Sequence, residues 1–217
     1  MRHVPESCRM NYSMLARLIL AAFTLVYIIM GTVIIMREGN TEFLAYMALL
    51  LILLAFGAYL VVRFDLPLWM PLLISVVGAL HLAGGGLMVH GDVLYNLVLI
   101  PIPNWTGLTV WKFDQLVHPY GAFVVALITY ALLARTTRLR RILLLGIAFM
   151  VANGAGALNE VVEFITKVTV PHTDVGGYYN TALDLFFNML GAFLGSVWAL
   201  VAIRTRQLDI PPVDRVD

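Results

Sequence analysis

The last apolar segment of the chain, residues 181–203, reads TALDLFFNMLGAFLGSVWALVAI. A helix needs about 20 apolar residues to cross the hydrocarbon of a bilayer, and this segment is long enough. Two polar side chains, Asp184 and Asn188, interrupt it near its beginning. Polar groups inside a membrane segment are costly unless they pair or bind something, so they indicate a functional site. The segment therefore predicts a transmembrane helix that carries part of a site.

The rest of the chain repeats this apolar pattern. Of its 217 residues, 61% are hydrophobic and 12% are charged, whereas a soluble domain carries roughly 25% charged residues. Five further segments are long enough to span a bilayer: residues 14–36, 44–62, 69–89, 113–134 and 142–165. We therefore predict an all-α integral membrane bundle of six transmembrane helices. It forms a single domain over residues 1–217, with a short cytoplasmic tail at 204–217.

The basic residues predict the orientation of this bundle. Six spans place both termini on one side, and that side holds eleven of the 14 lysine and arginine residues. The other three, Arg37, Lys112 and Lys167, fall on the opposite side. Because basic residues accumulate in cytoplasmic loops, both termini are predicted to be cytoplasmic. A net charge of +1 gives no indication of nucleic-acid binding, and a single cysteine excludes an intrachain disulfide.

Polar residues in the last four spans point to one place. Seven are polar or ionisable: His81, Asp114, His118, Glu160, Glu163, Asp184 and Asn188. In the predicted orientation, all seven fall toward the outer ends of their helices. The pairs in spans four, five and six are three or four residues apart, so each pair shares a helical face. Polar faces turn into a bundle rather than toward lipid. We therefore predict one interior site that opens outward, with His81 as its fourth wall.

Pro119 leaves two possibilities for the start of the fourth helix. Proline has no backbone N–H and favours the first position of a helix, which places the start at Pro119 itself. Asp114 and His118 then lie on the preceding loop. If the helix instead starts near Phe113, the two side chains share a helical face.

Small residues accompany the polar ones. Span three carries Gly84-Gly85-Gly86, span five carries Asn153-Gly154-Ala155-Gly156-Ala157, and Gly191 and Gly195 of span six have the G-x-x-x-G spacing. Small residues let helix backbones approach closely in lipid. We therefore interpret these glycines as packing positions.

Two outer loops flank the predicted site. Residues 90–112 are apolar and aromatic, which is typical of a segment lying in the membrane interface. The second loop covers residues 167–180. Either loop is placed to cover the site like a lid, whereas the loop residues His90, Asp92, His172 and Asp174 are predicted to be solvated.

At these polar residues the chain resembles two related groups of bacterial membrane proteins, the YjdF-like and the wider VanZ-like families. The resemblance covers roughly residues 78–196 and is carried by His81-Leu-Ala-Gly84, Phe113-Asp114-Gln-Leu-Val-His118, Asn159-Glu160-Val-Val-Glu163 and Asp184-Leu-Phe-Phe-Asn188-Met-Leu-Gly191-Ala192. It implies a helical bundle in a bacterial inner membrane and supplies no reaction. Glu163 stands where the VanZ-like pattern has Gln, which favours the YjdF-like branch. Asn180 and Asn188 stand where that branch has acids.

The site residues suggest a metal-dependent enzyme as a first hypothesis. Two imidazoles, four carboxylates and one amide form a ligand set for a divalent cation such as Zn, Mn or Mg: His81, Asp114, His118, Glu160, Glu163, Asp184 and Asn188. A cation also explains how several like charges coexist in a medium of low dielectric constant. Glu160, Glu163 and His118 are then the candidate catalytic residues, with a metal-activated water as nucleophile. The substrate is expected to be a membrane lipid or a lipid-linked headgroup.

Two alternatives remain open at this stage. Buried carboxylates and histidines form proton relays in ion-coupled transporters and channels. Alternatively, the polar groups pair among themselves and fix a non-enzymatic bundle that assists another membrane protein. The sequence specifies neither of these outcomes, and it specifies no oligomeric state.

Overall fold

The computed structural model describes residues 6–39, 41–64, 66–102, 109–170, 173 and 176–204. Across these residues the chain forms six long helices: α1 (Glu6–Glu38), α2 (Thr41–Arg63), α3 (Trp69–Gly86), α4 (Asp114–Thr136), α5 (Arg141–Thr169) and α6 (Tyr178–Arg204). Within the described ranges, all six are long and apolar enough to cross a membrane, which confirms the prediction of a six-span, all-α protein. His172, Asp174 and residues 205–217 of the predicted tail lie outside the described residues.

The helices belong to two compact units, Met1–Gly86 and Leu87–Asp217. The first unit contains α1, α2 and α3. Small residues on α3 bring its neighbours close: the Phe43 ring of α2 fills the space where a Cβ on Gly85 would lie. A hydrogen bond of 2.7 Å joins the hydroxyl groups of Thr24 on α1 and Ser75 on α3.

The second unit begins with a short hairpin. Two strands, β1 (Met88–Val89) and β2 (Asp92–Val93), pair antiparallel around His90 and Gly91. Both turn residues have positive φ angles, 55° and 87°, as a tight two-residue hairpin turn requires. Since this hairpin takes up Met88 and Val89, α3 ends at Gly86 instead of extending to Val89 as the predicted span did.

Helix α4 begins at Asp114, ahead of Pro119. The backbone amides of Leu116 and Val117 donate hydrogen bonds of 3.0 and 3.2 Å to the carbonyl oxygen of Phe113. The first helical turn is therefore complete before the proline, which lies inside the helix. Of the two possibilities left open by the sequence, the structure has the one in which Asp114 and His118 share a helical turn.

Glycines of α6 hold the second unit together. A Cβ on Gly191 would overlap the carbonyl oxygen of Pro119 on α4, and one on Gly195 would lie 2.5 Å from that of Phe123. Both glycines therefore mark a backbone contact between α4 and α6, as the G-x-x-x-G spacing predicted. The three helices of this unit also share a buried layer of small residues: Ala122, Ala126, Ala152 and Ala192.

Candidate metal centre

Six of the seven predicted site residues meet in the second unit. Each of its three long helices contributes two of them, and together they are named here the carboxylate–histidine cluster: Asp114 and His118 from α4, Glu160 and Glu163 from α5, and Asp184 and Asn188 from α6. The helical spacings predicted that each pair would share a face. The contacts described below bring those faces together around one imidazole.

The imidazole of His118 has a different partner at each nitrogen. Its Nε2 lies 3.2 Å from Oδ1 of Asp114, one turn earlier on the same helix. Its Nδ1 lies 3.7 Å from Oε1 of Glu160 on α5 and 3.3 Å from Nδ2 of Asn188 on α6. His118 therefore connects all three helices of the unit.

Two overlapping triads in this cluster have the spacing of metal ligands. Among the described residues, Asp114, His118 and Asp184 form one triad, and His118, Glu160 and Glu163 form the other. Within each triad the three donor atoms lie within 4.8 Å of one another. Imidazole nitrogen with carboxylate oxygen is a donor set that suits Zn, Mn or Fe.

Several carboxylate oxygens in the cluster are buried without a hydrogen-bond partner in the part of the chain that the structure describes. They are both side-chain oxygens of Glu160 and Oδ1 of Asp184, and these two residues are 7% and 0% exposed. Buried polar groups in proteins are almost always hydrogen-bonded, and a buried carboxylate is costly unless it is paired or binds a metal. The cluster has four carboxylates and one imidazole, and the described protein atoms leave these three buried carboxylate oxygens without a hydrogen-bond partner.

Two asparagines complete the cluster and were not among the predicted site residues. Nδ2 of Asn159 donates a hydrogen bond of 2.7 Å to Oε1 of Glu163. Nδ2 of Asn180 donates one of 2.5 Å to Oδ2 of Asp184 and reaches Oδ2 of Asp114 at 3.5 Å. Each asparagine precedes its carboxylate by four residues, which is a signal that the sequence contains.

His81 lies in the first unit. On α3 it is half-buried, and its ring centroid is 5.7 Å from that of Phe43. Its predicted role as a fourth wall of the site stays a prediction.

Part of the loop at residues 90–112 packs on α6. The Trp111 ring lies edge-on to that of Phe187, with centroids 5.4 Å apart. The backbone amide of Lys112 donates a hydrogen bond of 2.9 Å to Oε1 of Gln115, a buried residue of the first turn of α4. The end of this loop therefore packs against α6 at Phe187 and against the first turn of α4, while its residues 103–108 lie outside the described residues.

Comparison with known proteins places the chain among membrane proteins. The family described as predicted membrane protein (DUF2238) matches residues 15–205. An uncharacterized protein of Thermotoga maritima is 30% identical over 113 residues, which are 49% of this chain and 57% of that relative. The matched part thus spans little more than half of the relative's length. No solved structure matches the chain. The family match and the six apolar helices together show a multi-pass integral membrane protein.

Proposed function

We propose that this chain, which belongs to the DUF2238 family of predicted membrane proteins, binds a divalent cation in its carboxylate–histidine cluster. The cation is Zn, Mn or Mg, and the bound site carries out hydrolysis or group transfer on a membrane lipid or a lipid-linked substrate. Within the family resemblance we place the chain in the YjdF-like branch, since DUF2238 is the YjdF family and Glu163 departs from the VanZ-like pattern. The bacterial inner membrane is proposed on the same resemblance.

One observation carries this proposal. Glu160 is 7% exposed, and neither of its side-chain oxygens has a hydrogen-bond donor among the described residues. Nδ1 of His118 is 3.7 Å from Oε1 of Glu160, beyond the usual reach of a hydrogen bond. A cation would stabilise an ionised carboxylate in this position, and the repulsion from the neighbouring carboxylates adds to that stabilisation.

The chemistry follows from the donor set. A divalent cation in such a site supplies a polarised water molecule as a nucleophile near neutral pH. Glu160, Glu163 and His118 are the residues that we assign to the reacting centre, where they hold the cation or accept a proton. Asp114, Asp184 and Asn188 complete the polar wall.

The surface of α5 supports access from the membrane plane. Leu158 and Val161, on either side of Glu160 in the sequence, are 67% and 50% exposed. Phe164, beside Glu163, is 63% exposed. Helix α5 thus carries both glutamates and, on its exposed face, large apolar side chains, and we propose a lipid-like substrate on the basis of this apolar surface.

The packing on the far side of the cluster favours a closed site over a proton or ion path. Ala122 follows His118 by one turn, Ala192 follows Asn188 by one turn, and all three helices contribute to this alanine layer. The backbone contacts of Gly191 and Gly195 lie at the same level. Such small, buried, apolar residues leave little room for the hydrated chain that ion transfer requires.

Elemental analysis of the detergent-purified protein tests the proposal. Wild type is compared with the double variant Glu160→Gln/His118→Ala and with the control His90→Asn, which changes an exposed turn histidine and suits its positive φ. Near-stoichiometric Zn, Mn or Mg in wild type and control, lost in the double variant, supports the site. No metal in wild type after incubation with all three cations would contradict it and leave a hydrogen-bonded, non-enzymatic core.

The enzymatic part needs a second experiment. Lipid extracts of cells that overproduce wild type or Glu160→Gln are compared by mass spectrometry. A lipid or lipid-linked species that is depleted or formed only with wild type supports hydrolysis or transfer. Identical extracts, with equal amounts of folded protein in the two membranes, would count against an enzyme.

A further inference from the structure

The two nitrogens of His118 are not equivalent, and their partners define which one is free to bind a cation. Asp114 Oδ1 lies 3.2 Å from Nε2. An ionised carboxylate only accepts hydrogen bonds, so this contact requires a proton on Nε2. In a neutral imidazole the other nitrogen, Nδ1, then has the lone pair.

The surroundings of Nδ1 agree with this assignment. The atom of Asn188 beside it is Nδ2, an amide donor, at 3.3 Å. A donor at this position matches a lone pair on Nδ1 rather than a second proton, and a cation on Nδ1 would take the place of this hydrogen bond. The Nδ1 atom also faces Glu160, whose side chain is more than nine-tenths buried and has neither oxygen hydrogen-bonded to the described residues.

The opposite side of the imidazole is already occupied by hydrogen bonds. The amide of Asn180 donates a hydrogen bond of 2.5 Å to Oδ2 of Asp184 and lies 3.5 Å from Oδ2 of Asp114. The other oxygen of Asp114, Oδ1, accepts the hydrogen bond from Nε2 of His118. Oδ1 of Asp184 is the one carboxylate oxygen of this triad without a described partner. On the Glu160 side, two such oxygens lie next to a nitrogen lone pair.

Resting on the function proposed above, we propose that the cation is held on the Nδ1 side of His118, by Nδ1, Glu160 and Glu163. Asp114 is then a positioning residue: it accepts the Nε2 proton and fixes the tautomer and the ring. Metal-binding histidines usually donate their other N–H to a carboxylate or carbonyl in this way. Asn159 holds Glu163 by the 2.7 Å hydrogen bond to Oε1.

This ligand set specifies the class of cation and of site. One imidazole nitrogen with two carboxylates favours a transition metal such as Zn²⁺ or Mn²⁺ over Mg²⁺ or Ca²⁺, which prefer oxygen alone. Structural zinc sites have four protein ligands, whereas catalytic zinc sites have three and leave one coordination position for water or substrate. The three ligands assigned here match the catalytic kind.

Metal affinity of single variants tests the assignment, with Zn²⁺ and Mn²⁺ as probes on the full-length protein in detergent. Glu160→Gln and Glu163→Gln are expected to lose stoichiometric binding. Asp184→Asn is expected to bind within about threefold of wild type, and Asp114→Asn about 10- to 100-fold more weakly. Glu163 is only half-buried, so its variant keeps the test valid if Glu160→Gln fails to fold.

The absorption spectrum of the Co²⁺-loaded protein gives a readout that a purely structural role would not move. At saturating Co²⁺, Asp114→Asn is expected to shift the ligand-field bands, whereas Asp184→Asn retains the wild-type spectrum. Binding that is lost in Asp184→Asn but unchanged in Glu163→Gln would overturn this assignment and place the cation on the Nε2 side. A wild-type protein that binds Mg²⁺ but neither probe would also overturn this assignment, whereas one that binds none of the three cations would overturn the proposed function itself.

Discussion

Gly156 of α5 lies against the side chain of Asn188 of α6, so that a Cβ on the glycine would be 2.6 Å from Asn188 Cγ. Asn188 in turn places its amide nitrogen 3.3 Å from Nδ1 of His118. The backbone of α5 therefore positions an amide on one helix beside an imidazole on another. A residue without a side chain determines part of the geometry of the candidate metal centre.

We expect Gly156→Ala to weaken cation binding. The added methyl group must push α5 and α6 apart, which moves Glu160, one turn later on α5, away from His118. Misplacing a ligand through its support in this way typically lowers metal affinity by about 10- to 100-fold. The measurement is the Kd for Zn²⁺ in detergent. Gly154→Ala is the matched control, because a Cβ two residues earlier on the same helix meets no atom within 4 Å. Equal affinities for the two variants would show that the contact between Gly156 and Asn188 does not position the ligands.

We expect Gly191→Ala to destabilise the second unit. Its Cβ would overlap the carbonyl oxygen of Pro119, a backbone atom that cannot move aside like a flexible side chain. Overpacking of this kind costs about 1–3 kcal/mol or more. The measurement is thermal unfolding in detergent, followed by circular dichroism, with a lower melting temperature as the expected result.

The control for this prediction is Gly121→Ala on α4, where a Cβ meets no atom within 4 Å. Alanine is favoured over glycine in a helix by about 1 kcal/mol, so this variant is expected to melt at the same temperature or slightly higher. A Gly191→Ala protein as stable as the control would contradict the close contact between α4 and α6.

The sequence was sufficient for the six helices and for most of the cluster, because both follow from short-range periodicity. Apolar length identifies a membrane helix, and a spacing of three or four residues puts Glu160 and Glu163 on one face. The contacts between helices could not be predicted from the sequence, because a contact such as that of Gly156 with Asn188 depends on how two helices cross. The hairpin at His90 was also missed, because its strands are only two residues long.

The role of Asn159 can be separated from general effects on α5. We expect Asn159→Ala to weaken Zn²⁺ binding about tenfold or more, because it removes the hydrogen bond that orients Oε1 of Glu163. Asn153→Ala is the matched control on the same helix, because the Asn153 side chain donates to the carbonyl of Phe149 on its own turn. A similar loss of affinity in both variants would mean that helix α5 is perturbed as a whole and that Asn159 has no specific role.

The orientation of the chain decides which leaflet the site serves, and single cysteines can measure it. Two single-cysteine variants are made in a Cys8→Ser background. His90→Cys puts the thiol in the hairpin turn that precedes α4, and Thr136→Cys puts it at the last residue of α4; both positions are exposed. Because eleven of the 14 basic residues are predicted to be cytoplasmic, we expect an impermeant maleimide to label only His90→Cys in intact cells. Thr136→Cys should react only after the membrane is permeabilised, which also serves as the control for reactivity. The reverse labelling pattern would mean that the protein has the opposite orientation in the membrane. Because α4 begins at Asp114 and ends at Thr136, the cluster would then lie toward the cytoplasm and serve a substrate of the inner leaflet.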